Sequence, residues 1–417
     1  MIVDLAKFPS FTEKAKHFAS AHRISCILDS NAYADAYSKF ELTIAIGAAD
    51  LIEAKNFDEV ASFVSQHQNK WVFGGFSYDL KNSLENLRSL NPDYVQFPEA
   101  FFFVPQHLLI FKNDVAEIVS DNAETLFNSI NNLTLDSRTI HESVEVKQRF
   151  DKATYINTVN QIKAEIARGN IYESNFCMEF YAEGANISPY RVYQKLNQAS
   201  PTPFSAFLSW NDNYLLCASP ERFVAKRAKK LISQPIKGTI KRGLNEQEDL
   251  ELALRLQNSV KEQQENVMIV DLVRNDLTRS AQRGTVQVEE LFGVYRFKQV
   301  QHLISTITCI KNPQLTNIEV IKNIFPMGSM TGAPKIKAME LMDHFEKTKR
   351  GMYSGAFGYF SPDGDFDFNV VIRSILYNRT NRYLSFQVGS AITFYAQAQQ
   401  EYEECLLKAK AILEVLT

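Results

Sequence analysis

Long apolar runs are missing from this sequence. No window approaches the roughly 18 uninterrupted apolar residues of a membrane-spanning helix, so no membrane association is expected. Met1 to Lys7 lack the basic-then-apolar order of a secretory signal, which makes a cytoplasmic address the expectation. Cysteine is sparse and scattered. Cys26, Cys177, Cys217, Cys309 and Cys405 form no C-x-x-C pair, so neither a zinc knuckle nor a disulfide framework is suggested, and buried free thiols are expected. Excess positive charge is absent too. Lys+Arg 45 against Asp+Glu 48 leaves a net charge of −3, without the positive potential that a phosphate backbone requires, and no nucleic-acid partner is expected. Glycine, at 16 residues, is about half its usual share. Phe 30 and Tyr 17 are plentiful by contrast, as in a sheet-rich core with few flexible linkers. The 45% hydrophobic fraction excludes a largely disordered chain, and 417 residues suffice for two or three ordinary domains or one large two-lobed body.

No internal repeat or low-complexity tract divides the chain, and the clearest seam lies near 135–150. Ahead of it, 97–105 and 107–111 read as apolar strands, and Ala123 to Lys147, with Asn128, Asn131, Asn132 and Asp136, reads as a surface connection. Beyond it, Tyr155, Ile156, Val159, Ile162 and Ile166 recur every three or four residues, a helix running to about Arg168 where Gly169 stops it. Strand-like stretches follow at Ile171–Tyr181, Phe204–Trp210, Tyr214–Ala218, Val300–Ile310, Ala356–Phe360, Val370–Leu376 and Leu384–Ala391. Helices are expected at about 246–258, 260–281, 316–323, 334–345 and 399–414. Several strands adjoin without a crossover helix, which favours an α+β fold of antiparallel sheet with helices outside over a doubly wound βαβ fold.

Several segments could carry chemistry. Glu262 and Glu265, and likewise Glu401 and Glu404, lie three apart on expected helices, so each pair shares a face. Brought together, four carboxylates would suit a hard cation such as Mg²⁺; singly, each pair equally fits a solvated helix face. Lys237 sits between Pro235 and Gly238, where a desolvated lysine could act as nucleophile or base, or a surface lysine could simply stand in water. Met327 to Lys335 is glycine-rich but is not a P-loop, because Pro334 separates Gly332 from Lys335. His302 suits either a general acid or a hydrogen-bonded core histidine, and Arg373 either a carboxylate clamp or a structural ion pair. No G-x-G-x-x-G or G-x-S-x-G is present, so neither a dinucleotide fingerprint nor a nucleophile elbow is suggested.

Taken in order, Ser219-Pro220-Glu221-Arg222-Phe223, Pro235-Ile236-Lys237-Gly238-Thr239, Asp271 to Leu277, Gly328 to Lys335, Arg350 to Tyr359 and Val371-Ile372-Arg373-Ser374 resemble the motifs of chorismate-utilising enzymes. The resemblance is dense from about 150 to 414, with a weaker N-terminal likeness in Leu28 to Asn31 and Trp71 to Leu80. Within that family, Lys before the Gly-Thr of the Pro-Ile-x-Gly-Thr motif is typical of the aminodeoxychorismate synthases and Ala of anthranilate synthases; here it is Lys237. The resemblance implies two antiparallel sheets packed as a sandwich with helices outside, 1–145 packed into the same body and 146–417 forming the chorismate-binding part. It implies that Lys237 attacks chorismate, that Glu221 is general acid/base, and that His302 is an active-site histidine. It further implies that Thr331, Tyr353, Arg373, Gly389 and Lys408 contact chorismate and that Glu262, Glu265, Glu401 and Glu404 surround Mg²⁺.

Two departures stand out. The family usually has Gln where this chain has Glu173, whose carboxylate is expected to assist amine delivery or pair with Lys237. Relatives carry a glycine-rich run where this chain has Gly389-Ser390-Ala391, and Ser390 and Ala391 are expected to narrow the pocket. No cysteine lies in a Gly-x-Cys-x-Gly turn, so ammonia from glutamine would need a separate glutamine amidotransferase subunit. An anthranilate-forming enzyme is disfavoured by Lys237, and a weakened chorismate-binding subunit by the retention of Lys237, Glu221 and the four glutamates.

Overall fold

The computed structural model describes residues 1–135 and 144–416, and every strand pairing among them is antiparallel. Hydrogen bonding runs from Glu173–Ala182 through Tyr383–Thr393, Ser374–Asn378, Asn213–Ser219, Phe204–Trp210 and Ile24–Asp29 to the paired long strands Leu42–Ala54 and Ala100–Lys112. From Ala100–Lys112 it continues through Val72–Phe76, Ala356–Phe360, Phe366–Val370, Arg222–Arg227 and Lys230–Gln234 to Val300–Ile310, which also pairs with Ile236–Lys241 and Gln287–Arg296. One continuous ladder thus doubles back into two layers. The turn between layers is made inside the long strands, where the register shifts between Ala48 and Asp50 and Gly47 takes φ +68.

The apolar core fills the space between the layers. Phe101 and Trp210, from different stretches of the ladder, approach with ring centroids 4.9 Å apart, and Phe76, Phe102 and Phe368 pack into the same cluster. Helices Phe57–Gln66, Val260–Thr278 and Asn317–Ile324 add Phe57, Val270 and Ile321 to this core. A second core lies beneath helices Lys152–Ala167, Pro189–Ala199 and Ala398–Leu416, where Tyr155, Leu196 and Cys405 pack on Phe176 and Phe386. All five cysteines are buried and free. No helix among the described residues is long and apolar enough to cross a membrane.

The elements depart from the sequence pattern in several places; the strands expected at 97–105 and 107–111 are the one strand Ala100–Lys112. Ala123–Asn131 is a helix, burying Leu126 and Ile130, where a polar connection is expected; Asn128 lies on its exposed side and Asn131 is half-buried. Asp136 and the rest of 136–143 lie outside the described residues. The expected strand Val370–Leu376 is two strands, ending at Val370 and resuming at Ser374, with Arg373 in left-handed geometry at φ +52 between them. The strand expected at Ile171–Tyr181 runs from Glu173 to Ala182 and is buried on both sides along nearly its whole length.

Strands on both sides of residue 145 alternate in the ladder, Ile24–Asp29 beside Phe204–Trp210 and Val72–Phe76 beside Ala356–Phe360. We propose that 1–145 and 146–417 fold as one body. A 146–417 fragment is expected to lack a cooperative thermal transition, because it exposes two interior strand edges, and to regain it on co-expression with 1–145. A sharp transition in the isolated fragment would refute this.

Candidate active site

Lys237 is aimed by a β-bulge. Ile236 pairs with Ile304 and Thr239 with His302, so this strand carries one residue more than its neighbour, and Gly238 absorbs it at φ +89. A Cβ at Gly238 would also stand 3.0 Å from Glu262 Oε2, so glycine lets the acidic helix approach. The released Lys237 side chain lines a cavity of about 690 Å³ between the two ends of the ladder. Its ammonium donates to Glu173 Oε1 at 3.1 Å. Glu173 opens the strand at the other end, and a Cβ at Gly332, in the short strand beside it, would meet the Glu173 carbonyl at 2.2 Å.

All of the expected site residues except Glu173 and Thr331 line the cavity. Glu173 is reached through its bond to Lys237. Thr331 is turned into its own loop, its hydroxyl donating to the carbonyls of Met327 and Gly328 at 3.3 and 3.2 Å, so it supports the wall instead of forming it. The 389–391 run also differs from expectation. Alternation along the strand puts Gly389 and Ala391 on the cavity, while the Ser390 hydroxyl lies 3.0 Å from that of Tyr155 in the core behind. Only Ala391 adds bulk to the wall. Gly389 is required by proximity, since a Cβ there would stand 2.7 Å from Asn175 Nδ2. Its carbonyl accepts from Lys408 Nζ at 2.8 Å, and Arg373, held by its left-handed backbone, reaches the Lys408 carbonyl at 3.3 Å.

The site's electrostatics follow from burial. Burial lifts the Glu221 carboxyl to about 7, with Lys237 pulling only partly the other way. Burial, then the charge of Arg373, push His302 down to about 3, so its imidazole is neutral, with Nδ1 2.8 Å from the Thr239 hydroxyl. For Lys237, burial works to lower the pKa, but the carboxylates of Glu173 and Glu265 outweigh it and the net direction is up. The resting lysine is an ammonium.

The four metal-ligand candidates share the cavity wall, Glu262 and Glu265 from Val260–Thr278 and Glu401 and Glu404 from Ala398–Leu416. Burial raises Glu262 and Glu401 and brings Glu265 to about 7, whereas the Lys408 ammonium, 2.5 Å away, overcomes burial and holds Glu404 low. Lys261, 3.8 Å from Glu265, is another countercharge. Among the described residues no three carboxylate, imidazole or thiol groups converge into a preformed metal shell. The donor chemistry nevertheless fits Mg²⁺, being oxygen only and short of positive charge. Lys261, Asn175 and Ser329 also line the cavity, and their sequence context signals it only weakly: Lys261 adjoins Glu262, and Asn175 lies two residues beyond Glu173, on the same face of the strand.

Similarity to known proteins follows the same outline. A family model described as chorismate binding enzyme matches residues 14–414. Aminodeoxychorismate synthase component 1 of Bacillus subtilis is 30% identical over 83% of this chain and 76% of its own length. Anthranilate synthase component 1 of Thermus thermophilus is 31% identical over 83% and 77%. The chloroplastic aminodeoxychorismate synthase of Arabidopsis thaliana is 35% identical over 81% of this chain, which spans only 39% of it. Anthranilate synthase component I of Streptococcus pneumoniae superposes with TM-score 0.80 at 26% identity, covering 91% of this chain and 93% of that one.

A buried carboxyl whose pKa is raised on folding favours the protonated state. Its stabilising contribution is present below the ordinary glutamate range and is lost as pH rises through about 7. Glu221→Gln is therefore expected to flatten the fall in stability between pH 4.5 and 7, leaving the variant more stable than the parent at pH 8 by ~1–3 kcal/mol. Denaturant melts across this range measure it, and parallel curves for the two proteins would contradict it.

Proposed function

The chain belongs to the chorismate-binding enzyme family, and from that premise we propose that it is the chorismate-using component of an aminodeoxychorismate synthase. Its reaction joins ammonia to chorismate, giving 4-amino-4-deoxychorismate for para-aminobenzoate and folate synthesis. The observation that carries this reading is Lys237, delivered by a bulge into a cavity that also holds a neutral-leaning Glu221, a neutral His302 and the cations Arg373 and Lys408.

In this reading the Lys237 ammonium gives one proton to ionised Glu221, which relays it to the leaving hydroxyl, and the freed lone pair bonds to ring carbon 2 as the 4-hydroxyl departs; ammonia then bonds to carbon 4 as the lysine leaves. Covalent catalysis divides one difficult displacement into two easier ones. Glu221, half protonated near pH 7, supplies the proton that lets the hydroxyl leave as water. Arg373, Lys408, Tyr353 and the backbone at Gly389 orient the substrate's carboxylates and ring, with Thr331 stiffening the loop behind them. Neutral His302 gives the ring region a hydrogen-bonding group without a further charge. Glu262, Glu265, Glu401 and Glu404 would hold Mg²⁺, which when bound supplies a hard positive charge for the ring carboxylate. Several relatives are named component 1, which supports a second component; in this reading it is a glutamine amidotransferase subunit supplying ammonia, and the two work in the cytoplasm.

The test is product analysis by mass spectrometry with chorismate, Mg²⁺ and ammonium. Aminodeoxychorismate is expected from the parent protein and is expected to vanish in Lys237→Ala or on chelating Mg²⁺. Anthranilate as the product, or undiminished turnover in Lys237→Ala, would overturn the reading.

A further inference from the structure

The proposed reaction has a second substrate, and one buried anionic atom beside the nucleophile has no partner. Glu173 is 2% exposed, gives Oε1 to Lys237 at 3.1 Å and leaves Oε2 without a hydrogen-bond donor. A carboxylate oxygen in such a place ordinarily accepts at least one bond. One oxygen is too few for a hard divalent cation, whereas a small cation with N–H donors on every side matches it. Building on the aminodeoxychorismate reading, we propose that Glu173 Oε2 is the seat of the ammonium ion that becomes the new amino group.

Ammonium so held passes one proton to Glu173, leaving ammonia. The ammonia lone pair forms the bond to ring carbon 4, and the electron pair of the bond between Lys237 and carbon 2 returns to the lysine nitrogen. The proton held on Glu173 then moves to that nitrogen, restoring the Lys237–Glu173 ion pair. One carboxylate therefore serves both nitrogens in turn.

Glu173→Gln keeps the shape of the side chain but removes its charge. Loss of a charge-assisted bond to ammonium is expected to lower kcat/KM for ammonium by at least about tenfold more than kcat/KM for chorismate, whereas Glu173→Asp, which keeps the charge, recovers part of the difference. Equal losses for the two substrates, or none, would overturn the inference. A parent protein that forms no aminodeoxychorismate from chorismate and ammonium would instead overturn the reading on which it rests.

Discussion

The ion pair between Lys237 and Glu173 closes the two-layered ladder at its open end. Its partners come from strands at opposite ends of one hydrogen-bonded network, and they meet because the long strands fold that network over at Ala48 to Asp50. Taking both charges out of water is expensive, and an apolar pair of similar size would hold the layers at least as well. Such a pair is retained more readily for chemistry than for stability. The phenylalanine-rich core between the layers supplies the apolar burial against which a few costly polar contacts are tolerated.

The same burial sets the charge states around the pair. With little water to stabilise ions, each group settles between the cost of burial and the pull or push of its nearest charges. Lys237 stays charged because two carboxylates face it, Glu221 sits near neutrality because burial outweighs Lys237, and His302 is stripped of its proton beside Arg373. The acidic wall follows the same logic. Where Lys408 lies close, Glu404 remains ionised; Glu265, with its lysines farther off, is poised near 7. The cavity wall thus carries the cation Arg373 and, on its acidic side, four glutamates of which Glu404 is paired with Lys408.

Much of this was legible in the sequence because local patterns and global fold agree there. The i, i+3 spacing of the glutamates, the Pro-Ile-Lys-Gly-Thr run and the ordered motifs identify the residues that converge. What was illegible depends on burial and register. Ala123–Asn131 looks like a connection because its polar face outnumbers the buried Leu126 and Ile130. Ser390 looks like a pocket residue until strand alternation turns it toward Tyr155. The left-handed φ of Arg373 could not be read from a residue type that rarely adopts it, and the bulge at Lys237 needed the partner strand to be known.

That last point explains why lysine at 237 and glutamate at 173 belong together. In an unbulged strand Lys237 would hold its place in the ordinary alternation of side chains; the extra residue redirects it, and Gly238 permits both the turn and the approach of Glu262. Once redirected, its ammonium requires a buried acceptor, and a neutral glutamine would leave that charge uncompensated by any full negative partner at the same distance. Glu173 meets the requirement with one oxygen and leaves the other without a partner. Where the family resemblance leads one to expect a glutamine, this chain thus places a carboxylate beside the Lys237 ammonium.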